Sequence, residues 1–257
     1  MNTTAEITAD PSTGTTTGTR TEPATGTRAE PATGTRADTG TGARVEPTTE
    51  PGPRAGSRAG TARRHKLVIV VGSVREGRFG PVVGSWVAEQ ARRHGFFDVG
   101  VVDLADVEVP LALPAASPKH AGDGYPRPAG MAALTAALAG ADAFVVVTPE
   151  YNHSYPASLK AAIDWHFTQW AAKPVAFVSY GGAAGGRHAV LHLENVLTEL
   201  HAVTIREGLA FPNYFTAWQD GRPLDAGAPA YAKTLLELLA WWAQALRTAR
   251  ETAPFPG

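Results

Sequence analysis

Short strand-like stretches, several of them continuously apolar, are spaced along the chain after Lys66, separated by stretches whose apolar positions recur at helical intervals. Leu67-Val68-Ile69-Val70-Val71 is unbroken and mostly β-branched until Gly72, the pattern of a strand buried on both faces. Pro81 then opens a helical pattern through Val82, Val83, Trp86 and Val87. It closes near His94-Gly95, with proline at the start and glycine at the stop. Val99 to Leu104 reads as a second strand, and a proline-rich connection runs from about Ala105 to Pro128. Met131 to Leu138 is helical, Ala143 to Val147 a third strand, and Ser158 to Phe167 helical again. Pro174 to Ser179 gives a fourth strand, Gly186 to Leu200 its helix, Val203 to Ala210 a fifth strand and Tyr231 to Arg247 a closing helix. Strands alternating with helices at this spacing imply a parallel sheet covered on both faces.

With five strands, the natural expectation is an α/β doubly wound sheet in the flavodoxin-like order. In such sheets ligands sit above the carboxyl ends of the strands, where the winding reverses. The loops after the first, third and fourth strands therefore matter most.

Residues 1–64 follow another pattern. From Thr17 the chain reads TGTRTEPA, TGTRAEPA, TGTRADTG, TGARVEPT, and apart from alanines its only apolar residues before Arg64 are Met1, Ile7 and Val45. Such a segment cannot bury enough surface to offset its ordering entropy. The expected organisation is a disordered tail over 1–64 and one domain over 65–257. Composition narrows the function classes. The 257 residues carry a net charge of −1 and no cysteine. That excludes a disulfide framework, a thiolate metal site and a thiol nucleophile. Near-neutrality gives no reason to expect nucleic acid. The longest apolar stretch, Met131 to Val147, is broken by Gly140 and Asp142, so no membrane span is expected. No basic segment followed by an apolar core marks a secretion signal, and a cytoplasmic location is the default expectation.

The first loop, GSVREGRFGP, combines three glycines with the Ser73 hydroxyl, the Arg75 and Arg78 guanidinium groups and a helix N-terminus at Pro81. These are the parts of a phosphate seat, although neither the Gly-Lys-Ser/Thr ending nor the G-x-G-x-x-G spacing is present. A solvated basic turn is the alternative. The second, TPEYNHSYPASLKAAIDW, leaves the third strand through Pro149 and presents Glu150, Tyr151 and Asn152. Tyr151 offers an aromatic face with a polar tip, and Asn152 both a donor and an acceptor. Glu150 could instead cap the following helix or pair with Lys160, and helix capping is the favoured reading for Ser154 and Ser158. In the third, SYGGAAGGRHA, Gly181-Gly182 and Gly185-Gly186 allow backbone to lie against something flat. Arg187 and His188 suit a surface role at least as well. His188 and His192 stand four apart without an evident acidic partner, and an exposed helix face is preferred over a metal site; no metal ligand is expected among the eight histidines.

Taken together, GSVR after the first strand, the TPEYN…LKAAIDW block after the third and SYGG after the fourth resemble the NAD(P)H-dependent FMN reductase family, which includes azo-, quinone- and chromate-reducing enzymes. The resemblance covers roughly Lys66 to Leu246. It implies a flavodoxin-like FMN-binding oxidoreductase using NADPH or NADH and a small acceptor: a quinone, azo or nitro compound, metal oxyanion or free flavin. By resemblance Ser73, Arg75, Arg78, Phe79 and Gly80 hold the FMN phosphate. Pro149, Glu150, Tyr151 and Asn152 line the flavin ring, and Ser179, Tyr180, Gly181 and Gly182 close its other side. Arg78 and Gly80 stand where many members have serine and asparagine, which suggests that Arg78 contributes charge in place of their hydrogen bonds. The chemistry is the cofactor's, so no protein residue is expected to act as a catalytic acid, base or nucleophile. The alternatives are a flavodoxin-type electron carrier, a flavin supplier to a partner monooxygenase and a module that has lost the flavin. Trp165, Phe167, Trp170, Trp241 and Trp242 are more large aromatics than a small domain readily buries. A homodimer or homotetramer is therefore expected.

Overall fold

Alternation along the strands explains how one sheet acquires two cores. In the first strand Leu67 and Ile69 pack with one cluster and Val68 and Val70 with the other, because successive side chains leave a strand on opposite faces. The structure, a computed structural model, describes residues 64–257. The expectation for residues 1–63 lies outside them.

In chain order the elements are β1 (His65–Val71), α1 (Gly80–His94), β2 (Phe97–Asp103), α2 (Pro118–Ala121), α3 (Ala132–Gly140), β3 (Ala143–Pro149), α4 (Ala157–Asp164), β4 (Pro174–Tyr180), α5 (Arg187–Glu199), β5 (Val203–Phe211), β6 (Trp218–Gln219), β7 (Arg222–Pro223) and α6 (Ala228–Thr252). The sheet order is β2-β1-β3-β4-β5, parallel throughout. That is the flavodoxin-like doubly wound order, and its winding reverses between β1 and β3. Residues of α1 and α6 cover one face of the sheet; residues of α3, α4 and α5 cover the other. All seven residues of β3 and of β4 are buried, which is why these runs read as continuously apolar.

The punctuation works as its chemistry dictates. Pro81 sits in the first turn of α1, and Gly95 ends it in the left-handed region at φ 81°. Two short elements escaped the pattern. Ser117 caps α2, its hydroxyl accepting from the Lys119 N–H at 3.3 Å. The β6–β7 hairpin turns through Asp220-Gly221, both at positive φ. An Asp-Gly pair is the usual signal for that turn, but strands of two residues carry no periodicity.

The capping expectation for two serines is corrected. Pro156 occupies the N-cap of α4 without a side-chain cap. Ser158 instead donates to the Gly72 carbonyl at 2.7 Å, tying α4 to the end of β1. The Ser154 hydroxyl lies 3.0 Å from His192 Nδ1.

Candidate functional site

The register brings the three loops to one edge. Val71 pairs with Val147, and Pro149 with Tyr180, so β1, β3 and β4 end side by side. The Gly72 N–H donates to the Val147 carbonyl at 2.9 Å, and the Glu150 N–H to the Tyr180 carbonyl at 3.2 Å.

Beneath this edge lies a tight junction. Ser73 is fully buried, and the Tyr180 hydroxyl donates to its Oγ at 3.3 Å. Burial pushes the Tyr180 phenol up to about 12, the Ser73 hydrogen bond opposing, so this donor keeps its proton through the neutral range. Gly80 brings α1 against the same spot: a Cβ there would stand 2.3 Å from Ser73 Oγ and 2.8 Å from Val71 Cγ1. Ser179 is buried too, its hydroxyl donating to the Gly185 carbonyl at 2.8 Å. Gly185 and Gly186 adopt φ of 64° and 89°, and a Cβ on Gly186 would reach within 2.9 Å of the Tyr180 backbone nitrogen. Only glycine fits that turn.

Above the junction opens a cavity of about 310 Å³, at the small end of the range for ligand sites. The first loop contributes Arg75, Glu76, Gly77, Arg78 and Phe79; the second Pro149, Glu150 and Tyr151; the third Tyr180, Gly181 and Gly182. Four sequence-derived candidates stand outside this lining: Ser73, Gly80 and Ser179, which are buried, and Asn152, which is exposed on the turn beyond it. Tyr214, Glu76 and Gly77 join without having been singled out. Tyr214 follows β5, and its N–H donates to the Gly181 carbonyl at 3.3 Å. The fifth strand ends on the same sheet edge, and an aromatic just past its end was the available signal.

The two arginines differ. Arg78 donates to Asp103 Oδ1 at 2.8 Å and to the Ser73 carbonyl at 3.1 Å, pinning the first loop to the end of β2. The Arg75 guanidinium has no ion-pair or hydrogen-bond partner among the described residues, and the residue is exposed at the cavity. The N-terminus of α1 beside it has no side-chain cap and no acidic residue in its first turn. One unpaired guanidinium and one uncapped helix end suit an anionic group such as phosphate. The walls are aromatic. Phe79 and Tyr214 rings lie 5.0 Å apart, Tyr180 and Tyr214 5.3 Å. Partial burial raises the Tyr151 phenol, with Arg75 opposing. At Gly182 an added Cβ would meet nothing within 4 Å, so the cavity is lined there by open backbone. An anion seat beside aromatic and glycine walls fits a flat ring carrying a phosphate, which is the shape of FMN.

The comparisons bear on the same residues. The description "NADPH-dependent FMN reductase" matches residues 65–216. The chain belongs to that family. Among its relatives, an NAD(P)H-dependent FMN reductase of Schizosaccharomyces pombe is 40% identical over 121 residues, 47% of this chain and 60% of that protein. The chain thus spans about six tenths of that relative's length. A 2-hydroxy-1,4-benzoquinone reductase of Burkholderia is 30% identical over 185 residues, 69% of this chain and 95% of that protein. The solved structure of FerB, a flavoenzyme NAD(P)H:(acceptor) oxidoreductase from Paracoccus denitrificans, superposes with a TM-score of 0.54 at 23% identity. It covers 70% of this chain and 98% of its own, and likeness at that identity speaks to the fold. The matched span of this FMN reductase-family chain contains all three loops and Tyr214, and ends just past it.

Among the described residues, Glu150 does not pair with Lys160, which binds Asp164 at 2.7 Å. Glu150 receives His188 instead: its Oε1 lies 3.0 Å from His188 Nδ1, and its Oε2 accepts the His188 N–H at 3.2 Å. The acidic partner absent from the local sequence is supplied across 38 positions.

Proposed function

We propose that this protein is an NAD(P)H-dependent, FMN-containing oxidoreductase whose acceptor is a quinone. The observation that carries the reading is the unpaired Arg75 beside an uncapped helix end, facing a cavity with aromatic and glycine walls. Arg75 and the first turn of α1 hold the phosphate of FMN. Tyr151, Tyr214 and the Gly181-Gly182 backbone flank the flavin ring, while Arg78 positions the first loop through Asp103. Bound FMN would supply the two-electron chemistry between nicotinamide and acceptor. The buried Tyr180–Ser73 pair keeps the floor dry and rigid, which holds the ring in one place. A quinone is favoured because the Burkholderia relative named for benzoquinone reduction aligns over 69% of this chain, and because a flat acceptor suits flat walls.

The test is direct. Purified full-length protein should be yellow, release FMN on denaturation and oxidise NADPH or NADH steadily with 1,4-benzoquinone. Protein that takes up no FMN would refute the site. Protein that binds FMN yet turns over no quinone with either nicotinamide would refute the quinone as acceptor; failure with azo, nitro, metal-oxyanion and free-flavin acceptors as well would favour an electron carrier.

We also propose a homodimer or higher oligomer located in the cytoplasm. Trp165 and Trp170 are buried within the chain, but Tyr231 and Trp241 on α6 are 64% and 60% exposed, which supports a covered surface there. Sedimentation showing a monomer at micromolar concentration would oppose it.

A further inference from the structure

We propose that Glu150, His153 and His188 form a binding site for one divalent transition cation of the zinc class, at the rim of the central cavity. The site goes beyond the flavin reading and uses residues of two elements distant in sequence. His188 stands in the first turn of α5, and His153 lies in the turn after β3. One ligand atom from each of the three side chains lies within 4.8 Å of the other two.

The Glu150–His188 pair is explained by a hydrogen bond alone. His153 is not. Its ring stacks on that of His188, centroids 4.2 Å apart and planes 13° from parallel. No hydrogen bond to its ring nitrogens occurs among the described residues. The turn that carries it is unusual: Asn152 and His153 both adopt positive φ, 50° and 63°. Tyr151 and Ser154 close that turn with reciprocal backbone hydrogen bonds of 2.8 and 3.0 Å. Two consecutive non-glycine residues in the left-handed region is an uncommon arrangement, and it sets an otherwise unpartnered imidazole against a carboxylate–imidazole pair.

The donor set selects the cation. Two imidazole nitrogens and one carboxylate oxygen suit zinc, nickel, cobalt or copper rather than magnesium or calcium, which take oxygen ligands. Ligands about 2.0–2.2 Å from one ion sit about 3–3.5 Å from each other. The Glu150 Oε1–His188 Nδ1 separation of 3.0 Å already meets that spacing. His153 is exposed on its turn and can tilt out of the stack to complete the set. Three protein ligands leave a coordination position for water.

Calorimetric titration of the full-length, untagged protein with Zn2+ tests this. The expected result is one ion per chain, with Mg2+ at the same concentration giving no heat. His153→Ala and His188→Ala should each weaken Zn2+ binding by about tenfold or more. His192→Ala, one turn further along α5, should leave it unchanged. Circular dichroism confirms that each variant is folded. No Zn2+ binding in the native protein would overturn the proposal, as would His153→Ala binding Zn2+ with native affinity. Equal competition by Mg2+ would overturn the assigned donor set. FMN content, measured on the same samples by absorbance, reports the flavin reading separately, since neither histidine lines the cavity.

Discussion

Replacing Gly80 by alanine tests whether the junction under the cavity is as close as its distances say. The new Cβ would stand 2.3 Å from Ser73 Oγ, 2.8 Å from Val71 Cγ1 and 3.1 Å from the Tyr180 hydroxyl. Ser73 is fully buried and Val71 is 1% exposed, so neither side chain can swing into solvent. Either α1 lifts off the sheet, or Ser73 changes rotamer and abandons Tyr180. Overpacking of this kind costs about 1–3 kcal/mol. Leaving the buried hydroxyls unpaired adds about 1–3 kcal/mol. Alanine returns only about 1 kcal/mol through its helix preference, so the clash wins and the net loss is about 1–5 kcal/mol. At roughly 2–4 °C per kcal/mol for a domain of this size, scanning calorimetry should show the melting temperature down by about 2–20 °C. Gly182→Ala is the control in the third loop: a Cβ there meets nothing within 4 Å. That variant should stay within about 0.5 kcal/mol of native. Combined with Ser73→Ala, which removes the worst contact, Gly80→Ala should be less damaging than the sum of the two singles. A Gly80→Ala protein that melts at or above the native temperature would refute the reasoning.

Arg75→Glu should leave the protein folded but poor in FMN. Charged hydrogen bonds are worth about 1.5–3 kcal/mol each, so fluorescence titration should show FMN affinity lower by at least about tenfold; full native occupancy would remove Arg75 from the phosphate seat. His166 is fully buried between Thr135 and the Ala162 carbonyl, and burial lowers it to about 4. The unfolded chain therefore binds the extra proton first, and stability falls as pH drops from about 6.5 to about 4, by up to about 3 kcal/mol from this group. Denaturant titrations across that window should lose this part of the pH slope in His166→Gln, and an unchanged slope would exclude His166 as its source. A chain beginning at Arg64 should keep its melting temperature and FMN content, because residues 1–63 contain so few core-forming side chains; a fall in either would show that the segment contributes.

Strand positions were legible because burial on both faces is a local demand. That demand falls on the inner strands: Ala143–Pro149 and Pro174–Tyr180 are buried throughout, and β1 everywhere but Lys66. The outer strands β2 and β5 are partly exposed and admit Asp98, Arg206 and Glu207. The loops of interest were legible for a related reason: a parallel sheet places all its carboxyl ends on one edge, so Arg75, Tyr151 and Gly181 had to meet near each other. Partner choice was not local. Arg75 and Arg78 read alike in GSVREGRFG, and only the approach of Asp103 from the end of β2 commits Arg78 to the scaffold and leaves Arg75 to the cavity. Glu150 could have taken Lys160 ten residues on; α4 instead gives Lys160 an Asp164 one turn away, and α5 delivers His188. Ser158 looked like a cap until the end of β1 offered it the Gly72 carbonyl. Sequence by itself determined which segments are buried and which polar groups leave their ends. Tertiary structure decided which of those groups pair, because hydrogen bonds and ion pairs reach only about 3–4 Å, and packing alone determines what comes that close.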